Sequence, residues 1–280
     1  FIRSCFNTIF QPALQSFIPM LFPPNRIVKI NAILATSGQI AWMMGPFFAG
    51  VMLTLVTLPT LFLLDAGSFI LSIALLIFIV QPPYQKKQTN QNHWDELKQG
   101  LAYLYSQKPI YWLIIITFIN NLFIMGPAIV GIPILVKYGL NGSAAGALIG
   151  SFIVTKLTKK FSNGIIWATG LFLDGITYSF LYWADSVEMA MIMIFFHGIG
   201  IPFIMVSRTS IVQLHTPNKY HGRLFSVVHL GVVGTTAISS GLVGIITSFI
   251  SVKLLFHGIG IGAAICGLVG LAVPSLRKLK

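Results

Sequence analysis

The sequence predicts an all-α membrane protein, and three observations carry that reading: an apolar composition, a series of uncharged runs long enough to cross a bilayer, and basic residues gathered in alternate loops. Of 280 residues, 55% are hydrophobic and only 9% charged, and the mean hydropathy is +0.84. A chain of this kind cannot cover its surface with polar groups in water, so its solvent is lipid. The formal net charge of +12 would suit nucleic acid only if the basic residues clustered on one soluble face. They sit instead in short groups between apolar runs, which excludes nucleic acid as a partner and points to orientation in a membrane.

The runs fall at 1–20, 30–54, 60–80, 110–131, a short one near 143–155, 164–183, 188–207, 224–247 and 254–273. A crossing takes about 20 residues, so the fifth, Ala144 to Val154, is too short without thinning the bilayer or borrowing polar flanks. The chain opens on Phe1 inside an apolar region, so the first run reads as the tail of a span that begins upstream. One set of loops holds Arg26, Lys29, Lys86, Lys87, Lys98, Lys108, Lys156, Lys159, Lys160, Arg208, Lys219, Arg223, Arg277, Lys278 and Lys280. The opposite set holds Lys137 and Lys253. The positive-inside bias places the first set, and with it the C-terminus, in the cytoplasm of a multi-pass cell-membrane protein.

Within the second run, Asn31 to Met52, Ala41, Gly45 and Ala49 recur every fourth residue beside Gly50, and Pro46 interrupts the backbone ladder. Small residues let helix backbones approach in lipid, and proline bends the helix. Such a face serves either a helix that rocks against a partner or simple packing. The longest polar connector runs from Gln81 to Pro109; its first part is a flexible linker. Asn92 then caps a helix with Asp95 three residues on, and Trp94, Leu97, Leu101 and Leu104 share one face, predicting an amphipathic helix on the membrane surface. Three spans precede this boundary and six follow.

An internal repeat agrees with it. Pro24-Asn25-Arg26 resembles Pro217-Asn218-Lys219 at an offset of 193 residues, which carries 1–82 onto 194–275. Residues 83–193 have no partner, so a symmetric protein needs roughly a hundred residues and three spans ahead of Phe1.

These features together resemble the major facilitator superfamily, in its drug:proton antiporter branch close to the macrolide efflux proteins. The resemblance runs over nearly the whole chain, from the fourth of the family's twelve helices to the end. Its most specific element is the antiporter signature G-x-x-x-G-P-x-x-G-G, which reads AWMMGPFFAG from Ala41 to Gly50. Gly45, Pro46 and Gly50 match, while Ala41 and Ala49 replace glycine. IRSCFNTIFQPALQ with Arg3, LLDAGSF around Asp65, GPAIVGIPILVKYGLNGS and PNKYHGRLFSV belong to the same resemblance. The family's basic loop has its second-half counterpart in SFIVTKLTKK, with Lys156, Lys159 and Lys160. The resemblance implies an incomplete N-terminal bundle at 1–81 (helices four to six), a cytoplasmic linker with the amphipathic helix at 82–109, and a six-span C-terminal bundle at 110–280 with its eighth helix shortened. As it stands, such a chain is a fragment of a transporter, and function belongs to the parent.

Candidate chemistry rests on few residues. Asp65 and Asp174 are the acids within spans, where a carboxylate is costly unless paired, protonated or facing water. Asp174 lies mid-span in LFLDGITYSF; desolvation favours a protonated carboxyl, the chemistry of proton-coupled export, and the alternative is a packing hydrogen bond. Asp65, nearer an outer end, reads as paired with a neighbouring donor. Arg3 matches a family arginine linked to proton transfer, and Asp174 with Arg3 is the protonation pair to test. His197, in IFFHGIGIPF, either shuttles protons or bonds across to another helix, with the second favoured. Asn120 and Asn121 line a cavity or bridge helices. His221 and His229 read as interfacial, and Cys5 and Cys266 as packing residues. No catalytic motif competes, so no enzyme is expected. The expected function is export of a small hydrophobic, macrolide-like drug by proton antiport and alternating access. That function uses a monomer, the proton gradient as coupling ion and no cofactor. The alternative is a truncated, non-transporting remnant or scaffold.

Overall fold

The computed structural model describes the backbone of residues 2–79, 93–131 and 140–280, and the side chains of these residues apart from 2–8, 42–43, 46–47, 93–94, 96–97, 130–131 and 140–145. Expectations for the side chains of Arg3, Pro46, Trp94 and Leu97, and for Lys86, Lys87, Asn92 and Lys137, lie outside the described residues. The architecture is all-α. In chain order come α1 (Ile2–Leu21), α2 (Ile27–Leu55), α3 (Leu58–Leu76), α4 (His93–Ser106) and α5 (Lys108–Gly126). They are followed by α6 (Leu140–Leu157), α7 (Asn163–Phe180), α8 (Val187–His215), α9 (Asn218–Ile246) and α10 (Val252–Ala272). Among the described residues, six helices are long and apolar enough to cross a membrane.

Local chemistry sets the boundaries. Ser162, Ser186 and Ser251 each accept the backbone N–H three residues on, from Ile165, Met189 and Leu254, and so start α7, α8 and α10. Proline in the first turn starts α3 and α5, where no donor is lost. The helices α8 and α9 extend past the apolar runs at their basic ends, to His215 and from Asn218. Ser210 and Gln213 at the end of α8 find partners on other helices, so the helix continues where hydropathy falls. The segment expected at 143–155 is an 18-residue helix beginning at Leu140, with Asn141 and Gly142 inside it.

Helix α7 packs between α8 and α10, α6 packs on α8, and α5 packs on α9. Between α7 and α10 the backbones meet: a Cβ added at Gly175 would collide with Ala264, and one at Gly260 with Ser179. A core of Leu113, Ile114, Trp167, Leu171, Ile211, Leu224 and Leu276 fills the basic end of this bundle. A second, with Tyr178, Ile194, Phe256 and Ala263, fills the other end. The earlier helices join it on one side, α1 against α9 and α2 against α6 and α8. There Ala32 packs with Val154, Ile166, Phe203 and Val206. No residue of α3 is buried, and its apolar surface suits lipid.

Helix α4, expected as an amphipathic helix, packs on the bundle through its later residues. Leu104 enters the core with Ile110 and Leu224, and Tyr103 stacks on Tyr220 with ring centroids 4.2 Å apart. Arg223 Nη1 donates to Gln99 Oε1 at 3.2 Å. Of that helix's apolar face, Leu104 thus finds protein.

Candidate functional site

The carboxylate of Asp174 on α7 meets an imidazole on the next helix. Asp174 Oδ1 and His197 Nδ1 lie 2.8 Å apart, with side chains only 4% and 10% exposed. The contact is close without being an aligned hydrogen bond, because Nδ1 has no partner of hydrogen-bonding geometry. Close approach of α7 and α8 makes the pair possible. Gly170, one turn before Asp174, permits it: a Cβ there would sit 2.8 Å from Phe203 Cβ and 3.0 Å from the Ile204 nitrogen.

Tyr178, one turn after Asp174, completes the cluster. Its ring meets His197 edge-on at 4.5 Å and stacks on Phe256 at 5.5 Å. Its hydroxyl is buried without a hydrogen-bond partner. Tyr178 and His197 are therefore enclosed beside Asp174 among α7, α8 and α10 with fewer bonds than they can make. Buried polar groups left short of partners are rare and ask for a proton, a water or a change of state.

The other candidates lie elsewhere. Asp65 is exposed on α3 and forms no ion pair among the described residues. Asn121 Nδ2 sits 2.8 Å from Thr235 Oγ1, 2.9 Å from Thr236 Oγ1 and 3.0 Å from the Val232 carbonyl, bridging α5 to α9. Asn120 is buried, with Oδ1 unpartnered. Ala41, Gly45, Ala49 and Gly50 are not buried, and a Cβ at Gly45 or Gly50 would meet nothing within 4 Å. Lys156, Lys159 and Lys160 are exposed at the end of α6, and Arg208 is half-buried on α8.

A cavity of about 420 Å³ opens between α1 and α9, lined by Ile9, Pro12, Ala13, Gly222, Ser226, His229 and Leu230. Neither Asp174 nor His197 lines it. The chain's arrangement thus separates an enclosed titratable pair from an apolar cleft.

The model of the Major Facilitator Superfamily matches residues 1–148 and 142–278. The chain belongs to this superfamily. It is 25% identical to the Bacillus subtilis MFS-type transporter YfiS, over 96% of this chain and 69% of the relative. It is 23% identical to macrolide efflux protein A of Enterococcus faecalis, over 86% of this chain and 79% of the relative. For macrolide efflux protein A of Streptococcus pyogenes the identity is also 23%, over 87% and 63%. The E. coli fucose:proton symporter shares the fold, with a TM-score of 0.66 at 12% identity, over 93% of this chain and 73% of that one. Family and fold make this a multi-pass membrane protein of the secondary-transporter kind, not an enzyme.

For this major facilitator protein the sequence singles out Asp174 and His197 separately, and the structure brings them together. The pairing of Asp174 with Arg3 lies outside the described residues. Two features escape the sequence. Tyr178 carries one available signal, its position four residues from Asp174 on one helix face. His229 reads as interfacial from its place near a helix end, and the cleft it lines depends on α1, more than two hundred residues away.

Proposed function

We propose that this superfamily member exports hydrophobic, cationic drugs of the macrolide kind in exchange for protons. Two groups of helices rock about a central cleft that faces each side of the membrane in turn. The observation that carries the reading is the enclosed Asp174–His197 pair. A carboxylate against an imidazole holds one proton as an ion pair; losing it, or gaining a second, leaves one partner buried and uncompensated. Loading therefore alters how α7 sits against α8, which is what coupling requires. The α1–α9 cleft supports the substrate side. Its apolar walls carry few polar groups, Ser226 and His229 among them, the pattern of a small-molecule site. Relatives that export macrolides favour that drug class. Fifteen basic residues on one side favour a cytoplasmic C-terminus.

Inverted membrane vesicles carrying the protein, expressed from its complete coding sequence, should accumulate a labelled macrolide when the lumen is acidified. Asp174→Asn should remove the dependence on the gradient while the protein still inserts. Wild-type uptake that ignores the gradient rejects antiport; uptake of other drugs but not macrolides rejects the substrate.

A further inference from the structure

We propose that Gln15, Asn31, Ser210 and Gln213 form an uncharged latch that holds the two groups of helices shut on the basic side of the membrane and opens once in each cycle. The cycle rests on the alternating-access reading above; the latch itself rests on geometry. Asn31 Nδ2, on the first turns of α2, lies 2.9 Å from Ser210 Oγ and 2.6 Å from Gln213 Oε1 of α8. Gln213 Nε2 in turn donates to the Gln15 carbonyl of α1 at 2.7 Å. One glutamine side chain thereby ties both α1 and α2 to α8. Asn31, Ser210 and Gln213 are 5%, 0% and 4% exposed.

Position argues for a gate over ordinary packing. All four residues sit near the basic ends of their helices, and past Ala35, which still packs on the cluster of Phe203 and Val206, no described residue of α2 is buried. Toward its other end Ile40 and Leu53 are 47% and 53% exposed. The contact is thus one-sided. Chemistry argues the same way. An amide parted from its partner binds water almost as well, so the net worth of such bonds is small and the closed state can be undone. A latch of neutral amides is also indifferent to salt, unlike an ion pair. No carboxylate, lysine or arginine takes part in these bonds, so the proton step and the closure step are chemically distinct.

The test reads accessibility, not transport, so it stands if the substrate or coupling ion proves wrong. In the full-length protein with Cys5 and Cys266 changed to serine, a reporter is placed by Val206→Cys, 1% exposed and in the cluster beneath the latch. Vesicles of each orientation are treated with a membrane-impermeant maleimide. Asn31→Ala, and Asn31→Leu, which refills the volume, should each speed labelling from the basic side about tenfold, as loss of about 1.4 kcal/mol of closure would give. Labelling from the other side should not change. The double variant Asn31→Cys with Gln213→Cys should cross-link on oxidation and then block labelling at a reporter introduced by Ser207→Cys. Unchanged rates in both single variants, or an equal rise from both sides, overturns the latch.

Discussion

Helices α7 and α10 and the helices α2 and α3 are all apolar and all carry glycine, yet they use it in opposite ways. Where α7 crosses α10, Gly175, Gly260 and Gly267 bring one backbone onto another, and a methyl group at any of them would strike main-chain atoms. In α2 and α3, a Cβ at Gly38, Gly45, Gly50 or Gly67 would meet nothing within 4 Å. Without a hydrophobic force between helices in lipid, close backbone contact is what binds the first pair. The open glycines contribute nothing of that kind here. Glycine therefore marks a settled joint in one place and an unfilled smooth face in the other.

The sharpest way to break this contrast is to add the same side chain at both sites. Gly175→Leu should cost about 3 kcal/mol or more, because neither backbone can yield, and should abolish monodisperse protein in detergent. Gly45→Leu should leave insertion and melting temperature unchanged yet abolish efflux, if the face of Ala41, Gly45, Ala49 and Gly50 slides against a partner during transport. Efflux at the wild-type level would show that face to be idle; aggregation of Gly45→Leu would erase the difference between the regions.

A smaller effect tests the polar joint within the bundle. Asn121→Ala removes the donors that reach Val232, Thr235 and Thr236. Hydrogen bonds between membrane helices average about 0.6 kcal/mol and reach about 1.7. Thermal unfolding in detergent should therefore show a drop within that range. No change would mean that the threonines, already bonded to the Gly231 and Val232 carbonyls of their own helix, lose nothing when the α5 donor is removed.

How much of this could be read from the residues follows from the range of each interaction. Spans were legible because burial in lipid acts on every residue of a run, and most boundaries follow Ser, Pro and charge. The end of α8 was not, since Gln213 looks like a loop residue until Asn31 and Gln15 are placed beside it. What α4 packs against was hidden for the same reason. Amphipathicity shows that Leu104 wants an apolar neighbour, but lipid and Leu224 satisfy it equally. Asp174 and His197 were each visible as costly residues in a membrane, and the spacing of 23 residues between them carried no sign that they touch.

The smallest expected effect separates contact from burial. Lys253 Nζ and Asp185 Oδ1 are 3.0 Å apart, hardly farther than the Asp174–His197 contact at 2.8 Å. Their side chains are 39% and 90% exposed, so water and salt screen the attraction, and two long-lived hydration shells compete with it. Such a pair contributes roughly 0 to 1 kcal/mol, whereas removing one member of a buried pair strands the other. Lys253→Ala should shift the melting temperature by no more than about 2 °C, and 1 M salt should abolish even that. A larger loss that survives salt would place this end of α10 in a less watery setting than its exposure indicates. The line drawn here between the inside of the bundle and its rim would then have to move outward past Asp185.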